Sequence, residues 1–164
     1  MVDLVNQQQV NGWLDAVTFE TVVASAPLIS IDLLVKNKKG EYLLGLRKNQ
    51  PAQGYWFVPG GRVQKNETLD IAFQRLVQEE LGVKLERSQA QFNGLFEHFY
   101  KESIFGEYVS THYVVLAYEV ELSDDACHLD VKQHSDMLWV KPENLNQYPV
   151  HRYSLNYFIL SPSA

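Results

Sequence analysis

The chain has one cysteine, no excess of basic residues and no apolar run long enough to cross a bilayer, and each shortage excludes something. With Cys127 alone there is no intrachain disulfide, which is consistent with a reducing cytoplasm. Next to His128 in a polar stretch, that thiol reads as a bystander and not as a nucleophile. The opening MVDLVNQQQVNGW lacks a basic region followed by an apolar one, so no signal peptide is expected. Lys and Arg number 14 against 20 Asp and Glu, a formal net charge of −6, which argues against general binding to nucleic acid. Internal repeats, low-complexity tracts and interdomain linkers are also missing. What is left is an ordinary globular composition, 46% hydrophobic and 21% charged over 164 residues. The expectation is one cytoplasmic domain over 1–164, with residues 1–11 loosely held and no membrane partner.

The pattern along the chain is α/β. TFETVVASA, from Thr18, reads as a short helix with Pro27 beyond its end. LISIDLLVKN and EYLLGLRK read as strands joined by the turn at KNKKG, a hairpin. GYWFVPGG is a short strand broken at Pro59-Gly60-Gly61. A helix follows over 68–81, and Gly82 is placed to stop it. Three further strands, QFNGLFEHFYK, THYVVLAYEVEL and MLWVKP, precede a last helix, HRYSLNYFIL. Strands on both sides of a central helix, with another helix at the end, suggest a mixed sheet with helices on its faces.

The central helix contains an anomaly. At about 100° per residue, Leu69, Ala72, Phe73, Leu76 and Val77 form one apolar stripe, with Asp70, Gln74 and Gln78 opposite. Glu80, one turn after Leu76, falls on the stripe. A carboxylate taken out of water costs several kcal/mol unless a cation or several donors compensate it. Either Glu80 is solvated at an exposed helix end, or it pairs with Arg75 or Lys84, or it is turned inward toward a ligand.

The surrounding spacing favours the last option. Gly61, Glu67 after five intervening residues, Arg75 after seven more, then Glu79, Glu80 and Gly82 resemble the Nudix box. The resemblance implies an α/β/α sandwich with a mixed sheet, in which a loop-helix-loop holds a divalent metal and the metal holds a diphosphate. One element departs from the pattern, since the residue after Arg75 is Leu76 where Nudix boxes usually carry Glu. PAQGYWFVPGGRVQK, that leucine, THYVVL and KQHSD together resemble a divergent Nudix branch, the GDP-mannose mannosyl hydrolases, from about Trp13 to the last helix.

This resemblance implies the following roles. One magnesium ion per subunit, for which manganese can substitute, is held by the carbonyl of Gly60, by Glu80 and by the side chain of Gln133. Oxygen-only ligation suits that ion. His134 is the general base. Arg47, Arg62 and Arg75 contact the diphosphate, and Tyr113 donates to the leaving group. For Arg75 a structural pair with Glu67 is equally open. Asp32 and His98 lie around the sugar, and an aspartate inside the apolar strand LISIDLLV is itself costly unless partnered. Trp13, Leu14 and Phe19 contact the nucleotide or serve as packing, and the branch suggests a homodimer. Glu79 stays outside the metal set. His112 belongs to a strand, and His128 and His151 read as surface residues.

With one fewer helix carboxylate and a separate histidine, the expected chemistry is water attack at the anomeric carbon of GDP-mannose, or also of GDP-glucose, with inversion and GDP as the leaving group. Two rivals remain: ordinary Nudix cleavage to GMP and sugar 1-phosphate, and a non-catalytic module that senses nucleotide sugars.

Overall fold

The computed structural model describes residues 14–130 and 132–159. Trp13 and the segment 1–11 lie outside them. Helix α1 spans Ala16–Ser25 and starts two residues earlier than expected, because Asp15 caps it: its carboxylate accepts from the Thr18 amide at 3.0 Å. The remaining elements are β1 (Leu28–Lys36), β2 (Tyr42–Arg47), β3 (Trp56–Phe57), β4 (Gly60–Arg62), α2 (Leu69–Leu81), β5 (Gln91–Tyr100), β6 (Thr111–Glu121), β7 (His134–Val140) and α3 (Arg152–Ile159). Pro59, which has no amide proton to give a ladder, separates β3 from β4.

The seven strands form one mixed sheet. β1 pairs in parallel with β6 over its whole length and antiparallel with β4, while β2 pairs antiparallel with β3 and β7. Alternation along β1 divides the core in two. Ile31, Leu33 and Val35 pack against Ala72, Phe73 and Val77 of α2. Leu34 lies on the other face with Tyr153 and Tyr157 of α3. The sheet is thus sandwiched between α2 and α3, and Asp32 is carried on the α3 side.

Packing extends one expectation and corrects another. Cys127 is 1% exposed within the α2-side core, and burial raises its thiol to about 11, so the polar stretch around it hides a core residue. β7 begins three residues earlier than expected, at His134, which pairs with Arg47. Gly45 makes room for this: a Cβ there would overlap the His134 ring.

No helix among the described residues is long and apolar enough to cross a membrane.

Candidate active site

Glu80 is turned inward, as the stripe required, and is 1% exposed. Its Oε1 accepts from Gln133 Nε2 at 2.6 Å, and its Oε2 lies 3.3 Å from His134 Nε2. Helix α2 supplies the carboxylate, and the two partners come from the first residue of β7 and the residue before it. Thr68 caps the helix through the Ile71 amide at 3.2 Å, and Gly82 closes it in the left-handed conformation at φ 71°.

Leu76 is buried on the same helix face, one turn before Glu80, and a Cβ on Gly61 would fall 2.5 Å from its Cδ2. The residue that replaces the usual carboxylate is therefore packed directly beneath the glycine loop.

Arg75 is committed elsewhere. Its Nε and NH2 donate to Glu67 at 2.6 and 2.9 Å, its NH1 to Glu79 at 2.8 Å, and its NH2 also to the Arg62 carbonyl at 2.9 Å. The Glu67 bond is the largest cause of an upward shift in the guanidinium. This is the structural pair that the sequence allowed, and it ties β4 to α2. With Arg47 and Arg62, Arg75 also lines the neighbouring pocket.

A pocket of about 240 Å³ opens beside these groups, lined among others by Asp32, Arg47, Gly60, Arg62, His98 and Tyr113. Among the described residues the buried Nε of Arg47 has no hydrogen-bond partner, so a donor is held ready for an anion. The Arg62 guanidinium lies 4.5 Å from the Phe19 ring centroid, which places Phe19 at the pocket mouth. Leu14 is 41% exposed and takes no part in the lining. Burial raises the Tyr113 hydroxyl above its ordinary value and so keeps it a donor. An adjoining cavity of about 660 Å³ shares Phe19, Arg47, Tyr113 and Gln133 with the first.

Asp32 and His98 form the pocket's inner wall. Tyr157 lies 2.5 Å from Asp32 Oδ2 and 3.2 Å from His98 Nε2. Burial raises the Asp32 carboxyl to about 7, while Tyr157 and Arg47 act in the other direction. Burial, aided by His151, lowers His98 to about 3 and keeps it neutral. His151 is not a surface residue. It stacks on Phe57 with centroids 5.3 Å apart, and burial lowers it to about 4. Sequence reading missed Tyr100, Tyr157 and Gly45. The first two look like core aromatics in any helix or strand pattern, and the third is an unremarked glycine in an apolar strand.

His134 sits behind the wall. It is 6% exposed, with its Nε2 toward Glu80 and its Nδ1 buried without a partner among the described residues. To reach the pocket its ring must turn away from Glu80.

Among the described residues no group of three or more His, Cys, Asp or Glu side chains could hold a metal ion. A mixed oxygen set remains: the carbonyl of Gly60, Glu80 and Gln133. A carboxylate this deeply buried, facing an amide and an imidazole, fits a hard cation that keeps positions open for phosphate oxygens.

Residues 26–158 match the NUDIX domain family. The chain belongs to that family. Its members are hydrolases of nucleotide derivatives and generally use divalent cations. The chain is 46% identical over 137 residues to the low-salt glycan biosynthesis protein Agl8 of Haloferax volcanii, covering 82% of this chain and 85% of that one. It is 26% identical to the CTP pyrophosphohydrolase of Escherichia coli, over 75% of this chain and 83% of that one. Among solved structures, the MutT NUDIX hydrolase of Burkholderia pseudomallei superimposes with a TM-score of 0.67 at 26% identity, covering 82% of this chain and 98% of that one.

Proposed function

We propose that this Nudix chain hydrolyses GDP-mannose to GDP and free mannose by water attack at the anomeric carbon. The observation that carries the reading is Leu76, packed under Gly61 where the family pattern would put a second carboxylate beside Glu80. Water attack on phosphorus needs an anionic site that gathers cations and activates water. With one fewer carboxylate on the metal-facing side of the helix, the site is better suited to holding a diphosphate as it departs. The relative described as a glycan biosynthesis protein supports a substrate that contains sugar.

Gly60, Glu80 and Gln133 would hold magnesium, which when bound neutralises charge on the diphosphate. Arg47, Arg62 and Tyr113 donate to the phosphate oxygens, so the leaving group needs no proton. His134 accepts a proton from water once its ring has turned from Glu80. The water oxygen bonds to C1, the C1–O bond breaks, and its electron pair leaves with GDP.

In oxygen-18 water the label should enter mannose and not GDP, and proton NMR before mutarotation should show the β-anomer first. Label in a phosphate product would mean that ordinary Nudix cleavage persists despite Leu76. Absence of turnover would favour the sensing module.

A further inference from the structure

From helix α3 the hydroxyl of Tyr157 meets two residues that line the pocket, Asp32 and His98. The ring that carries it is 1% exposed and meets Phe96 edge-on with centroids 4.7 Å apart. One turn earlier, Ser154 accepts from the Val58 amide at 3.1 Å. Tyr153 stacks on His98 with centroids 4.2 Å apart and clasps the backbone of Phe99, accepting from its amide at 2.8 Å and donating to its carbonyl at 2.7 Å. The helix therefore has little freedom against β5, and the Tyr157 hydroxyl is fixed in place.

The direction of the hydrogen bonds follows from the partners. The Asp32 carboxyl oxygen accepts, so Tyr157 spends its proton there, and burial raises the phenol well above its ordinary value, which keeps that proton in place. With its proton on Asp32, the phenol oxygen can accept from His98 Nε2 in the tautomer that carries the proton there, and Nδ1 is then an acceptor. Asp32 Oδ1 is the second acceptor, and it borders Gly60, where a Cβ would fall 2.6 Å from it. Both side chains line the pocket.

We propose that Tyr157 is the positioning residue of the sugar subsite, fixing Asp32 and His98 as two acceptors for a pair of sugar hydroxyls. This rests on the nucleotide-sugar reading above. It assigns sugar discrimination to helix α3.

The test compares wild type with Tyr157→Phe, which keeps the ring and removes the hydroxyl. Measured with magnesium, KM for GDP-mannose should rise on the order of 10-fold to 100-fold, the loss expected for one hydrogen bond to a buried charged group. The ratio of kcat/KM for GDP-mannose over GDP-glucose should move toward one. Inhibition by GDP, which has no sugar, should stay within about twofold. In an Asp32→Asn background the same change should cost less than about threefold, because the residue through which Tyr157 acts is already altered. That background also removes the carboxylate that Tyr157→Phe would strand, so the comparison survives if the single variant does not fold. An unchanged KM and sugar ratio, an equal loss of GDP inhibition, or full additivity with Asp32→Asn each overturns the proposal. If wild type does not cleave GDP-mannose, the functional reading fails first and the sugar subsite with it.

Discussion

Glu80 is a buried carboxylate whose neighbours along the helix face are aliphatic, and the cost of that placement makes it diagnostic. Glu80→Gln keeps the shape and removes the charge. Magnesium affinity and turnover should fall together, while thermal stability in chelator holds or rises. Full activity at limiting magnesium would move the cation elsewhere. His134→Gln should lose turnover on the order of 10²-fold to 10⁴-fold with little change in KM. If turnover survives, the base is another group, and Asp32 in the pocket wall is the first to examine. The sequence revealed the residues with improbable chemistry for their position, Glu80 on an apolar stripe and Asp32 in an apolar strand. Their partners were less legible. Tyr157 finds Asp32, and Gln133 and His134 find Glu80, through contacts that no local period encodes.

At the scale of elements, α2 does two jobs, with Ala72, Phe73 and Val77 packed on β1 and Arg75, Glu79 and Glu80 placed at the pocket end. Leu76 stands where the two meet. Leu76→Glu restores the carboxylate usual in the family pattern but buries a second charge under Gly61. In chelator it should lower stability by about 3 kcal/mol, and magnesium should recover part of that loss, as read by urea denaturation. An equal loss with and without magnesium would mean that the new carboxylate does not face the cation. Most elements were readable because period and breakers agree: alternation in β1, the stripe in α2, Gly82 at its end and Pro59 after β3, although the strand that resumes at Gly60 was read as a break. The early start of β7 was not, since a polar run such as KQHSD carries no strand period. His134 is held there by the pairing with Arg47 across a glycine that admits its ring.

For the molecule as a whole, two buried groups act in opposite directions on stability. His98 is lowered to about 3, below its unfolded value of ~6.5, so the unfolded chain binds more protons and stability falls as pH drops through that window. Asp32 is raised to about 7, above its unfolded value of ~3.9, so the native state binds more protons and stability rises as pH drops between those values. Each slope approaches ~1.4 kcal/mol per pH unit, and between about pH 4 and 6.5 they offset one another. Asp32→Asn should remove the second slope and expose the first, losing about 2 kcal/mol more than wild type between pH 7 and pH 5 in urea titrations. An identical pH dependence in the two proteins would show that the Asp32 carboxyl is not raised in the native state. The sheet also carries a cost that appears before the protein is finished. β1 lies beside β6, with Leu28 opposite Tyr113, so most of the chain must leave the ribosome before the centre of the sheet can close. A nascent chain paused before Thr111 has Leu28–Lys36 without that neighbour, an open row of amides and carbonyls that another nascent chain could take up. Synthesis, more than the pH or temperature of the finished protein, is the stage at which this fold is most exposed to aggregation.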